Sequence, residues 1–371
     1  MTEQYVKEEE NKKLPESLLK DPYKYICDFA EEILPHAGRK IFQLLSLMPV
    51  SLILPDLIYK GKKVRSNINV LFLSPPSGGK STASEILSNI TYSPISVRSV
   101  TPAKLIHKIH ANPFFTFIVE DYATMSQDEV VGKIIEGLLG EEKRIQRSTM
   151  VSEIDDKTEG VGLICGTPSD LSEHLSGGLL FRLVPLVIFH GIEEHSSIGR
   201  NIIEGIGQEN HFEEKEEYIK MYYKKLLEIQ RDENKQITGY YIPKEFGERA
   251  YQSWDSGTKR IYKNTNAPYN YFRSLHEFFR FLVAHAFLNI QNRKVEKGIL
   301  YPNEEDFRVA LKLMKEDLTL KYRIIRTSTF LRSITTTKEL YEIINSDKIS
   351  EEQRILMQNM AKIKRGKVYH E

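Results

Sequence analysis

The chain has 371 residues, is 40% hydrophobic and 28% charged, and carries a formal net charge of +1. Those values exclude a collagen-like, wholly disordered or bilayer-embedded chain and describe a globular protein of two or three domains. Near-neutrality also excludes nucleic-acid binding by the field of the whole molecule, so any such contact must come from a local basic patch.

Cys27 and Cys165 are the only cysteines. They lie far apart with no Cys-x-x-Cys or Cys/His cluster, so neither a disulfide framework nor a structural zinc site is expected. The opening "MTEQYVKEEENKK" is charged where a signal peptide is apolar. No apolar run approaches the roughly 18 residues that span a bilayer. The expectation is a cytoplasmic protein with no membrane contact, in the host cytoplasm if the gene belongs to a virus or plasmid.

Residues 1–20 are mostly Lys, Glu and Asn and are predicted to form a charged, unfolded or frayed arm. In "DPYKYICDFAEEILPHAGRKIFQLLSLMP", Ile26, Phe29, Ile33 and Leu34 recur at helical spacing until Pro35, and Ile41, Leu44, Leu45 and Met48 begin again. Two helices are therefore predicted before the first strand. Short apolar runs then alternate with helical patterns, the mark of a parallel sheet covered on both faces. The predicted strands are "INVLFL", "ISVRS", "FFTFIVE", "GVGLICG" and "LVPLVIFH". The last holds Pro185, which cannot donate to a ladder and so belongs on an edge. "KRIQRSTMVSEIDDKTEG" reads as a hairpin inserted before the fourth strand.

Beyond about Glu194 the pattern turns to long charged helices: "NHFEEKEEYIKMYYKKLLEIQRDENK", "PYNYFRSLHEFFRFLVAHAFLNI" and "NEEDFRVALKLMKEDL". An all-helical second domain is predicted. The last 40 or so residues read as a solvated tail or a helix-turn-helix remnant. The predicted division is an arm over 1–20, an α/β nucleotide-binding core over 21–195, a helical lid over 196–328 and a small helical tail over 329–371.

"VLFLSPPSGGKSTASEIL" joins a buried strand, a Gly-containing turn and a helix that opens with Lys-Ser. This order turns backbone N–H groups and a helix N-terminus toward an anion. Pro75 and Pro76 have no N–H, so the donors are Ser77, Gly78, Gly79, Lys80 and Ser81, with Thr82 completing the turn. Lys80 would reach the β and γ phosphates and the Ser81 hydroxyl would ligate Mg²⁺. Ser74 stands where the pattern G-x-x-x-x-G-K-[ST] has its first glycine.

"PFFTFIVEDYATM" ends a buried strand in Glu120 and Asp121. Triphosphate hydrolysis needs one carboxylate near Mg²⁺ and another to orient or deprotonate water. The bland alternative is a helix cap or solvated strand edge. Thr167, ending "GVGLICGT", could hold the attacking water or the γ-phosphate, and Arg182, in "SGGLLFRLVPLVIF", could stabilise phosphoryl charge across a subunit boundary.

These segments, in this order, resemble the AAA+ motor domain of the minichromosome maintenance (MCM) replicative helicases, over about 21–318. "ILPHAGRKIFQLLSLMP" is similar to the helix before the nucleotide site, "KVRSNINVLFLSPPSGGKS" to the first strand and Walker A loop, "TFIVEDYATM" to Walker B, and "KRIQRSTMVSEID" to the pre-sensor-1 hairpin. "LICGTP" resembles sensor 1, "GLLFR" the arginine-finger segment, and "FRSLHEFFRFLVAHA" the sensor-2 helix, with Arg273 on the sensor arginine. The chain departs from the family at the Glu120-Asp121 order, at Thr167 where asparagine is usual, and at Thr149 where the hairpin tip has lysine. That leaves Lys143, Arg144, Arg147 and Lys157 as the basic residues for DNA. Too few residues precede the first strand for the family's N-terminal collar, and the segment between Walker A and Walker B is too short for its helix-2 insertion.

The resemblance implies an AAA+ P-loop core with a five-stranded parallel sheet followed by a helical lid. It implies ATP and Mg²⁺ held between subunits, with Lys80, Ser81, Glu120, Asp121 and Thr167 from one copy and Arg182 and Arg273 from its neighbour. It further implies a homo-oligomeric ring, most simply a hexamer, acting as an ATP-driven helicase on single-stranded or forked DNA in replication. The alternative is an ATP-gated DNA-binding assembly platform, initiator-like or transposition-regulating, that does not travel.

Overall fold

The computed structural model describes residues 13–59, 61–76, 78–111, 114–126, 129–139, 144–148, 153–157, 159–167, 182–188, 212–265 and 272–333, with the isolated positions 194, 196, 198, 200 and 354. Four helices open the described chain: α1 (Glu16–Lys20), α2 (Pro22–Ile33), α3 (Gly38–Leu45) and α4 (Leu47–Ile53). The predicted arm over 1–20 is thus corrected at its end, because Leu18 on α1 is fully buried and Asn292 donates to the Lys20 carbonyl at 2.8 Å. Asp21 accepts from the Lys24 N–H at 2.9 Å and caps α2, with Pro22 in the first turn. The second predicted helix is divided into α3 and α4. Pro49 has no N–H to give the Leu45 carbonyl, and the next carbonyl, that of Ser46, accepts from the Tyr223 hydroxyl at 2.8 Å. A short antiparallel hairpin, β1 (Leu57–Tyr59) and β2 (Lys62–Val64), follows.

The central sheet contains β3 (Val70–Leu73), β4 (Pro94–Val97), β5 (Phe114–Val119), β8 (Glu159–Gly166) and β9 (Val184–Val187), all within the predicted runs or one residue beyond them. It is wholly parallel in the order β4-β5-β8-β3-β9. Pro185 sits on β9 at the edge, as its missing donor requires. From β3 the chain crosses through α5 (Lys80–Ile90) to the far edge β4. It returns strand by strand through α6 (Pro102–His110), α7 (Tyr122–Ser126) and α8 (Glu129–Leu139), then passes over β3 to β9. Right-handed crossovers moving in opposite directions place α5 on one face and α6 to α8 on the other. Side chains agree: Cys165 Sγ lies 3.4 Å from Ser84 Oγ and Thr116 Oγ1 lies 3.0 Å from Thr91 Oγ1 on the α5 face. On the opposite face a Cβ at Gly162 would fall 2.5 Å from Leu139 Cδ2, so only glycine lets α8 approach there.

The inserted hairpin is present as β6 (Arg144–Ser148) and β7 (Glu153–Lys157), an antiparallel pair that runs into β8. The carboxy-terminal half has α9 (Phe212–Arg231), α10 (Lys244–Thr265), α11 (Phe272–Leu288) and α12 (Glu304–Ser333). The prediction that it is all helical is corrected: β10 (Gly239–Tyr240), β11 (Lys294–Glu296) and β12 (Ile299–Tyr301) form a three-stranded sheet. Lys297 and Gly298 both have positive φ, 51° and 76°, the pattern of a tight two-residue hairpin turn. This half is bound directly to the first: the Tyr240 hydroxyl donates to the Pro55 carbonyl and Arg280 Nε to the Arg65 carbonyl, both at 2.8 Å. α9 packs along α5, where Asn89 donates to Glu216 at 3.0 Å, and buried side chains from both halves form one contiguous core. α12 runs through the predicted boundary at 328, and most of the predicted tail lies outside the described residues.

Candidate nucleotide site

The loop after β3 begins at Ser74, which is fully buried and donates its N–H to the Gly166 carbonyl of β8 at 3.3 Å. Gly78 donates to the Pro75 carbonyl at 3.1 Å, closing a turn, and Gly79 has φ of 82°, a conformation that favours glycine. α5 starts at Lys80, and no side chain caps its first turn. The first-turn N–H groups of Lys80, Ser81 and Thr82 precede the first intrahelical donor, Ala83, which bonds Gly79 at 2.9 Å. Ala83, Ile86, Leu87 and Ile90 are buried and fix the helix axis against the sheet. Lys80 Nζ bends back over the loop and donates to the carbonyls of Ser74 and, at 3.0 Å, Pro75. Ser77 lies outside the described residues.

A second wall was not foreseen. A Cβ at Gly79 would meet Leu34 Cδ2 at 3.4 Å, so the turn between α2 and α3 borders the loop. In that turn His36 has φ of 71°, an uncommon state for a residue with a side chain, held by the Glu31 carboxylate, which accepts from the N–H groups of His36 at 2.8 Å and Arg39 at 2.7 Å.

Glu120 follows β5 and extends its pairing with β4 through a 3.0 Å bond to the Val97 carbonyl. Its carboxylate accepts from Ser96 Oγ at 2.6 Å and from Arg98 Nε, both residues of the β4 segment. Burial pushes the Glu120 carboxyl up, but the hydrogen bonds from Ser96 and Arg98, with the Arg98 charge, outweigh it and hold it below the ordinary carboxylate range. Asp121 accepts from Thr124 N at 3.2 Å and Thr124 Oγ1 at 2.7 Å, and so caps α7. The helix-cap role weighed for the acid pair is thus occupied by Asp121, and both carboxylates are engaged within the chain.

β8 lies between the acid strand and the loop strand, which sets them roughly 10 Å apart at about 5 Å per strand. Thr167, half buried, follows its last residue between them. Cys165 is fully buried just beneath. Burial pushes its thiol up to about 11, against a lowering by the Ser84 hydrogen bond and the Lys80 charge, with a further raising by Glu120.

No model of a known protein family matches this chain, and no curated protein does.

Arg182 is exposed two residues before β9. The register pairs Val70 with Val184 and Leu73 with Val187, so Arg182 sits at the amino end of the sheet. That is on the order of 17 Å from the level of Leu73, at about 3.3 Å per residue. Arg182 is therefore not brought to the loop of its own chain. Arg273 lies in the first turn of α11, which packs against α4 and α12; its side chain is outside the described set, as is all of Lys143. On the ribbon, Arg144 is paired with Lys157, Arg147 with Ile154, Gln146 with Asp155, Ile145 with Asp156 and Ser148 with Glu153. In sequence the ribbon carries three bases, Arg144, Arg147 and Lys157, and three acids, Glu153, Asp155 and Asp156.

An uncapped helix start, a left-handed glycine and a lysine folded over the loop form a donor set that fits the phosphates of a nucleotide. Ser81 and Glu120 are the side chains that would hold Mg²⁺, which would neutralise phosphate charge. Among the described residues no helix is long and apolar enough to cross a membrane.

Proposed function

We propose that the chain is an ATP hydrolase of the AAA+ type, with ATP and Mg²⁺ at the loop between β3 and α5. The observation that supports this most is the strand order. It brings the loop, Thr167 and the Glu120-Asp121 pair to the carboxyl ends of three adjacent strands, the edge at which open α/β sheets bind ligands. Ser81 and Glu120 would hold the metal ion, Asp121 would take the proton of the attacking water, and Thr167 would orient that water. Arg182, at the opposite end of the sheet from its own loop, would serve the site of a second copy, which makes the working form a ring, hexameric by likeness to MCM motors.

In the finer reading that ring drives DNA strand separation. The test is ATP-dependent unwinding of a forked duplex by the full chain, with Lys80→Ala as control. Turnover and unwinding that both disappear in the variant support the proposal, and absence of any triphosphate hydrolysis by the unaltered protein rejects it. A second reading, an ATP-gated platform that binds DNA without travelling, is favoured by one observation: the balanced charge of the β6–β7 ribbon gives a poor grip for a moving strand. Hydrolysis stimulated by DNA but without strand separation selects it.

A further inference from the structure

We infer that the exposed face of α6 is a binding surface for single-stranded nucleic acid. Between Glu85 and Glu120 the chain has no Asp or Glu, although it holds 51 acidic residues in all. α6 lies inside that stretch and presents Lys104, His107 and His110 to solvent, with Lys108 half exposed, while Leu105, Ile106 and Ile109 are buried on the side toward the body.

Helix stability accounts for the basic residues of the last turn but not for Lys104. His107, Lys108 and His110 stand in the last turn, where positive charge complements the macrodipole. Lys104 stands in the first turn, where positive charge opposes it, and one turn before Lys108, a like-charge spacing that repels. Thr101 caps the helix through the Lys104 N–H, so the backbone here is already satisfied. Neither Lys104 nor His107 has an ion-pair partner among the described residues. Arg98, in the same stretch just before α6, is committed to Glu120.

Two lysines one helical turn apart, Lys104 and Lys108, flanked by the imidazoles of His107 and His110 and free of nearby acids in sequence, fit a chain of phosphates. A membrane surface fits less well, because the remaining exposed residues of this face, Ala103 and Ala111, offer little apolar area to insert. The proposal does not depend on the nucleotide site, and an inactive ATPase would leave it standing.

The test is fluorescence anisotropy of labelled oligo(dT) with the full-length protein across a salt series. Lys104→Glu is the informative variant, because an acid in the first turn suits the helix dipole and keeps the fold. It is expected to weaken binding by at least fivefold, and Lys104→Gln with His107→Gln to reduce the slope of log K against log salt by about 0.7 for each phosphate no longer neutralised. Unchanged affinity and slope in both variants overturn the proposal. So does a loss confined to Arg144→Gln with Arg147→Gln. Failure of the unaltered protein to bind oligo(dT) overturns it too, including the case where it binds anionic vesicles instead.

Discussion

A Cβ at Gly78 would fall 1.4 Å from Ser74 Oγ and 2.8 Å from Ser74 Cβ, so Ser74 occupies the room that residue 78 leaves open. Rotating the hydroxyl away would relieve the first clash and not the second. The serine at the head of the loop and the glycine four residues on are therefore one packing unit. Gly78→Ala is expected to destabilise the protein by about 1–3 kcal/mol, as overpacking does, and to weaken triphosphate binding. Adding Ser74→Gly removes the two closest atoms, and the next is the Pro75 carbonyl at 3.1 Å, so the double variant recovers most of the loss. Urea unfolding of the four proteins measures this, and a double variant no better than Gly78→Ala refutes the pairing.

Because Arg182 lies at the far end of the sheet from its own loop, two inactive proteins should complement each other. Lys80→Ala and Arg182→Ala, each without turnover alone, are expected to regain part of the hydrolysis rate when mixed. Mixtures as inactive as their components would place Arg182 outside the chemistry.

Asp121 both caps α7 and is assigned the proton-accepting role, and substitution separates the two. Asparagine caps as well as aspartate, so Asp121→Asn should leave thermal stability within about 0.5 kcal/mol and abolish turnover, while Asp121→Ala should cost about 1 kcal/mol in addition. Turnover retained in Asp121→Asn, together with its loss in Glu120→Gln, would exchange the two roles.

Arg98→Ala removes a donor that holds the Glu120 carboxyl down, so its pKa should move back up toward the ordinary range. The depressed value adds stability that is present above the usual carboxylate range and is lost as pH falls through the folded value. Arg98 is 72% exposed, so the stabilising part is small and the change is better read in chemistry. The acid limb of the pH–rate profile should shift upward in Arg98→Ala; an unmoved limb argues that Glu120 does not titrate in the rate-limiting step.

The pH sensitivity of folding should come instead from the carboxy-terminal half. Asp306 is fully buried and accepts from Arg293 Nε and Nη2, each at 2.8 Å, with His285 Nδ1 at 2.6 Å. Burial pushes its carboxyl up, and the hydrogen bonds and charges of His285 and Arg293 more than reverse that, leaving it below the ordinary range. Its contribution is present above about pH 4 and is lost as pH falls through the lower folded value. Asp306→Ala takes two hydrogen bonds from Arg293 and leaves it the exposed Glu305 carboxylate at 3.0 Å, and a loss of about 3 kcal/mol is expected in denaturant titrations at neutral pH.

The parts of this fold legible from sequence were those whose side chains repeat a simple rule. Continuous apolar runs such as "FFTFIV" announced the buried strands, and Pro185 announced an edge. β10 to β12 escaped because strands of two or three residues have no period to read, and the turn at Lys297-Gly298 was their only signal. At the site, the loop and acids were legible because each sits in one contiguous segment. Ser96 and Arg98 share one face of the β4 segment at period two, but their meeting with Glu120 depends on which strand lies beside which, and that is set by the crossovers. Leu34 beside Gly79 was hidden for the same reason.

α5 is clasped between the sheet and α9, whose own Tyr223 is tethered to the Ser46 carbonyl between α3 and α4. A tilt of the helix that begins at Lys80 therefore has no slack to take up. It must be handed on, as in a train of meshed gears, to the far half of the molecule and to whatever that half is touching.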